Sequence, residues 1–165
     1  MDFEPVWEAM EGRFGDDGRR KEHARQVTRY ARELLICEPG EEEVVITAAI
    51  LHDIGIPASI RKYGSTAGPH QEREGPPIAR RILEDLGYPK EVVEEVCTII
   101  ASHHSPGEVD TDNFRVVYDA DWLVNLKDEY DVEDREKLER IIDRVFLTAS
   151  GKRVARETFL CCRES

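Results

Sequence analysis

Apolar side chains recur every three to four residues along most of this chain and nowhere alternate, so its elements read as helices and no strand pattern survives. Residues 18–37 carry Val27, Tyr30, Ala31 and Leu34 on one stripe, opened by Asp16 and Asp17 as capping candidates and closed by Pro39 and Gly40. Residues 41–54 place Val44, Val45, Ala48, Ala49 and Leu51 behind an acidic first turn, which suits the positive end of a helix. Glycine, serine, proline and basic residues dominate 55–75, which reads as the longest loop. A helix over 76–86 follows, with Ile78, Ile82, Leu83 and Leu86 inward and Gly87 as its stop. The next, over 90–103, buries Val92, Val93, Val96, Ile99 and Ile100. A further helix starts from Asp112 or Asn113 as cap and carries Val117 and Val124, and another over 132–149 carries Leu138, Ile141, Ile142, Val145 and Phe146. A short final helix surrounds Val154 and Phe159. The expectation is all-α: a compact single-domain bundle of about six or seven helices spanning residues 1–165, with no internal repeat.

A chain of this length can bury a core without disulfide or metal staples. Met1 to Pro5 lack the basic start and apolar run of a secretory signal, and no apolar stretch reads as long enough to span a membrane, so a cytoplasmic protein is expected. Cys37 and Cys97 fall within apolar helical patterns as small hydrophobes, and Cys161 and Cys162 are adjacent near the end, with no Cys-x-x-Cys spacing. Lysine and arginine number 23 against 35 acidic residues, a net charge of −12, which opposes long-range attraction of DNA or RNA. The same acidity leaves a small phosphate ester open, because a bound cation and a few arginines can reverse the field inside a pocket.

The polar residues set into the apolar stripes carry the chemistry. His23 lies four residues before Val27, His52-Asp53 ends the second helix, His103 continues the Val96–Ile100 ridge with His104 beside it, and Asp121 keeps step with Val117 and Val124. A buried imidazole or carboxylate costs a few kcal/mol, order of magnitude, unless hydrogen-bonded, paired or coordinated. A hydrogen-bonded core histidine explains any one of them, but convergence on a cation explains all at once.

The order His23, then His52-Asp53-Ile54-Gly55, then His70, then His103-His104, then Asp121 resembles the HD-domain metal-dependent phosphohydrolase superfamily, in its HDIG form. Supporting matches are Glu22-His23 through Leu34-Leu35, Ala48-Ala49-Ile50-Leu51, Ile99 to His104, and Asp119-Ala120-Asp121-Trp122-Leu123, so the resemblance covers roughly residues 15–160. It implies a metal held by His23, His52, Asp53 and Asp121, and a second held through Asp53 by His70, His103 and His104, with His52 and Asp53 as the catalytic pair. Histidine with carboxylate and no thiolate suits one or two divalent transition metals, Fe, Mn, Co, Ni or Zn, with Mg admitted. The implied reaction is hydrolysis of a phosphomonoester or phosphodiester, a small nucleotide among them, by a metal-bound hydroxide.

Two positions depart from the pattern. His70 precedes Gly75 by five residues where relatives show four, and a surface loop histidine is the alternative; Asp119 lies beside Asp121 but out of step with Val117 and Val124, so it reads as a site-edge or turn-capping residue. Arg19 or Arg20, one turn before His23, and Arg61 or Lys62, after the His-Asp pair, are placed to meet an ester from the rim; solvated surface charge is their alternative. Gly87-Tyr88-Pro89 precedes the His-His pair and so is not the element of the cyclic-dinucleotide phosphodiesterases. No extra acidic pair follows Asp53 as it does in the guanosine tetraphosphate hydrolases and 5'-deoxynucleotidases. The expected partner is a small phosphorylated substrate, with no polymeric nucleic acid and no membrane, and a homodimer is left open. An HD-type di-iron oxygenase shares the ligand order, and a non-catalytic, metal-containing nucleotide-binding module is the third reading.

Overall fold

A computed structural model describes residues 1–161, which leaves Cys162 outside the described residues. Among them the chain forms α1 (Glu4–Phe14), α2 (Gly18–Leu34), α3 (Glu42–Leu51), α4 (Ile56–Tyr63), α5 (Gly68–Asp85), α6 (Lys90–Ser102), α7 (Asp112–Glu129), α8 (Arg135–Val145) and α9 (Ala149–Phe159), with no strand. These nine helices exceed the expected six or seven for identifiable reasons. α1 was not read from the sequence, although Pro5 in its first turn and Val6, Met10 and Phe14 on its buried face mark it.

The supposed loop over 55–75 is mostly helical. Gly55 leads directly into α4, Gly64 at φ +63° ends it, and α5 begins at Gly68 instead of at Pro76. Proline at the first helical position is the usual reading of Pro76, yet Pro76 and Pro77 both lie inside α5. An interior proline costs about 3 kcal/mol locally, which tertiary packing here overrides, since α5 is sandwiched between α4 and α6. The cap of α7 is also corrected. Thr111, not Asp112 or Asn113, accepts the Phe114 N–H at 3.1 Å. Asn113 instead ties helices together, accepting the Glu41 N–H and donating to Glu95, both at 2.7 Å. α2 stops at Leu34, short of Cys37, so Cys37 is exposed and not a core residue, whereas Cys97 is buried as expected.

α3 is the axis of the bundle. Every residue from Val44 to Leu51 is buried, so the helix has no polar face, and α1, α2, α6 and α7 surround it. Burying side chains such as Ile46, Ile50 and Leu51 stabilises the fold by about 1.5–3 kcal/mol each. The run from Glu42 to Tyr63 is long and apolar enough, by composition alone, to cross a membrane, contrary to the expectation above. In this fold 78% of its most apolar window is buried, which is the pattern of a core helix, and the turn at residues 52–55 divides it. That turn places His52 and Asp53 at the end of the most buried helix, beside α2, α6 and α7.

Candidate metal centre

Two helices end on the same device. His52 is the residue after the last turn of α3 and His103 the residue after the last turn of α6, and each folds its ring back on its own helix. His52 Nδ1 donates to Ala49 O at 2.8 Å and His103 Nδ1 to Ile100 O at 2.7 Å, each a carbonyl three residues earlier. Both imidazoles are thereby held with Nε2 pointing away from the backbone. The two helix C-termini also concentrate negative partial charge near the site, which favours a cation there.

His23 from α2 and Asp121 from α7 close on this pair. His23 Nε2 lies 3.0 Å from Asp121 Oδ1, 3.2 Å from His52 Nε2 and 3.5 Å from Asp53 Oδ2. His52 Nε2 is 3.4 Å from both Asp53 Oδ2 and Asp121 Oδ1. On the other side, Asp53 Oδ1 stands 3.6 Å from His103 Nε2. That nitrogen is buried and has no hydrogen-bond partner among the described residues, which a core histidine satisfied by its neighbours would not show. The donor atoms fall into two groups, His23 with His52 and Asp121, and Asp53 with His103 and His104, and each group could hold a metal ion.

The electrostatics run the same way. Burial opposes charge on the His52 ring, but Asp53 and Asp121 outweigh it and hold its pKa well above the usual value. Burial pushes the Asp53 and Asp121 carboxyls up, and the neighbouring histidines, His52 foremost, bring both well below the ordinary carboxylate range. A centre that stabilises a proton this strongly also favours a cation in its place. Three Nε2 atoms, one of them the orphaned buried nitrogen of His103, and two carboxylates fit a divalent metal of intermediate softness.

The remaining residues separate clearly. His104 is exposed and accepts no fixed place from its own helix; Gln71, whose Nε2 is committed to Thr66 O at 2.6 Å, turns its Oε1 to His104 Nε2 at 3.1 Å. His104 Nε2 therefore carries the proton in this arrangement, and Nδ1 is the nitrogen left to bind. His70 is not brought to the site. It sits on α5, stacked on Tyr63 with ring centroids 4.1 Å apart, and belongs to neither donor group. Arg19 and Arg20 line a cleft of about 390 Å³ that opens onto His23, Asp53, His104 and Asp121. Arg61 and Lys62 do not line it, and Lys62 is paired with Glu74 at 2.5 Å.

Besides Gln71, three contributors were not read from the sequence. Asn125 donates to Asp121 Oδ1 at 2.9 Å from one turn further along α7, and Lys127 adds a cation to the cleft. Glu72 accepts the His104 N–H at 2.9 Å. The four-residue step from Asp121 to Asn125 was a signal available in advance; the reach of α5 to His104 was not, because that segment read as loop. Asp119 caps a neighbouring turn. It accepts from Leu147 N, Thr148 N and Thr148 Oγ1 at 2.9, 2.8 and 2.6 Å, while its burial raises its pKa to about 6.

Comparison with known proteins gives a family match and a fold match. The model of the HD domain family matches residues 20–126. A solved structure described as a predicted HD superfamily hydrolase, from an uncultured Thermotogales bacterium, aligns with a TM-score of 0.70 over 94% of this chain and 85% of that one. The two are 24% identical, so the likeness is one of fold. No curated protein matches the chain.

Proposed function

This chain belongs to the HD domain family, and from that membership we propose that it hydrolyses small phosphate esters using one or two divalent metal ions. The observation that carries the reading is the double role of Asp53: Oδ2 faces His23 and His52 while Oδ1 faces His103, so one carboxylate serves both donor groups. His23, His52 and Asp121 with Asp53 would hold one ion, and Asp53, His103 and His104 the other. When bound, such ions supply an acidified water and neutralise charge on phosphate oxygens.

The chain's own residues do the rest. Ala49 O and Ile100 O hold the two buried rings in the tautomer that leaves Nε2 free, and Asn125 orients Asp121. Arg19, Arg20 and Lys127 line the cleft beside Glu22, Asp128 and Glu129, and charge-assisted hydrogen bonds from these three cations to an ester can form there. A cleft of about 390 Å³ suits a small molecule such as a nucleotide, and the net charge of −12 opposes a polymeric one.

The test is metal analysis of the purified protein, followed by a phosphate-ester panel with and without chelator and with and without oxygen. Metal-dependent, oxygen-independent release of phosphate is expected, lost in Asp53→Ala with the far-UV circular dichroism unchanged. A folded, metal-loaded protein inert towards every ester would overturn the proposal. Turnover that requires oxygen, with a mixed-valent iron signal, would assign the centre to oxygenation instead.

A further inference from the structure

α7 divides the surroundings of the donor cluster into two chemically different halves. At about 100° per residue, Asp121 and Asn125 form one ridge of the helix, with Val124 and Lys127 turned to one flank and Tyr118, Trp122 and Glu129 to the other. The cleft already described lies on the first flank, where Arg19, Arg20 and Lys127 gather. A second cavity of about 220 Å³ lies on the other, lined by His103, Tyr118, Trp122 and, shared with the cleft, His104, Asp121, Asn125 and Glu129. Among the described residues, no arginine or lysine lines it. The two cavities therefore meet across the donor atoms, one holding the two arginines and the lysine and the other the two aromatic rings.

The aromatic half is held in place. Tyr118 is buried, Tyr130 stacks on Trp122 with ring centroids 5.9 Å apart, and Tyr118 meets the same indole at 6.4 Å. Trp122 is half-buried, and the part of it not covered by these neighbours is left to the cavity. An indole fixed beforehand loses little freedom when a planar group settles on it, so its stacking energy is retained as affinity.

We propose that the cavity bounded by Tyr118 and Trp122 is a subsite for a planar aromatic group joined to the phosphate held at the donor cluster, so that the substrate class is aryl or nucleobase-bearing phosphate esters over alkyl ones. This rests on the phosphate-ester reading, because the cluster must hold the phosphoryl end for the ring to reach Trp122. Stacking of a ring on an aromatic side chain is worth about tenfold or more in affinity.

The test uses the full, metal-loaded chain carrying Trp7→Phe, which leaves Trp122 as its sole tryptophan. Phenylphosphonate and methylphosphonate, which are not hydrolysed, are titrated while tryptophan emission and heat are followed. Phenylphosphonate is expected to bind about tenfold tighter and to change the emission saturably, and methylphosphonate to bind without that change. Trp122→Leu should bring the two affinities within about twofold while metal content stays the same. Equal affinities without an emission change would overturn the aromatic subsite and leave the phosphate reading standing. So would an equal loss for both ligands in Trp122→Leu, which would make the indole a packing residue only. Binding of neither ligand to metal-loaded protein would overturn the phosphate reading, and this inference with it. Should Trp122→Leu fail to fold, the ligand pair on Trp7→Phe alone decides.

Discussion

Replacing Gly55 by alanine should destabilise the fold, although alanine ordinarily improves a helical segment. Gly55 has φ −76°, a conformation open to any residue, so backbone freedom is not why glycine stands there. Space is the reason. A Cβ at Gly55 would lie 2.6 Å from Gly75 N, 2.7 Å from Gln71 O and 3.0 Å from Gly75 Cα, all backbone atoms of α5. Restoring ordinary contact requires α5 to recede by roughly 0.8 Å. It cannot recede freely, because Gly75 is itself pressed against α6, where an added Cβ would meet Ile100 Cγ2 at 2.7 Å. Overpacking of this kind costs about 1–3 kcal/mol, partly offset by about 0.4–1 kcal/mol from a stiffer unfolded chain. A net loss of about 1–2 kcal/mol lowers Tm by about 2–8 °C in a chain of this size. Because α5 carries Gln71 and Glu72 to His104, metal binding at the Asp53, His103 and His104 group should weaken as well. Differential scanning calorimetry and metal titration read both effects. Gly12→Ala in α1, where no atom of the described residues lies within 4 Å of the added Cβ, is the control and should raise Tm. If Gly55→Ala also held or raised Tm with metal affinity unchanged, the close-approach argument would be wrong.

Asn125→Ala should lower metal affinity about 10–100-fold by isothermal titration, because Asp121 loses the donor that orients it, with little change in Tm. Thr148→Val removes the hydroxyl that donates to Asp119 and accepts the Gly151 N–H, and should cost about 1–3 kcal/mol in urea denaturation; no loss would show that Asp119 is satisfied by the backbone amides alone. Hydrogen bonds from Lys62 and Tyr63 hold the Glu74 carboxyl below its ordinary value of 4.5. A lowered folded pKa gives stability that is present above the unfolded value and disappears as pH falls through the folded one. The stability difference between the protein and Glu74→Gln should therefore be full above about pH 4.5 and shrink towards lower pH. A difference independent of pH would count against the pairing.

Much of the site was legible because helical period converts sequence spacing into direction. His23, His52, His103 and Asp121 each fell on an inward face or helix end by phase, and the fold brings those four together with Asp53. His70 shows where phase gave no purchase. Read as a loop residue, it had no defined direction, and α5 turns it onto Tyr63 instead of towards the cluster. The same segment hid α4, the start of α5 and the hydrogen bond from His104 to Gln71. Its glycines and prolines are breakers by local rules, and here Gly55 and Gly75 serve close packing while Pro76 and Pro77 are tolerated within a sandwiched helix. Among the candidate cations, Arg19 and Arg20 face the cleft and Lys62 turns to Glu74; long flexible side chains carry no phase beyond their Cβ.

From its residues alone this chain determined that it would be helical, which faces would be buried, and that imidazoles and carboxylates would have to meet a common partner, because period and the cost of burying polar groups are local properties. Tertiary structure decided which oxygen of Asp53 faces which histidines, that Asn125 holds Asp121, and that the arginine-bearing cleft and the aromatic cavity flank α7. Those depend on how helices distant in sequence cross, and a crossing is set by side chains from both partners at once.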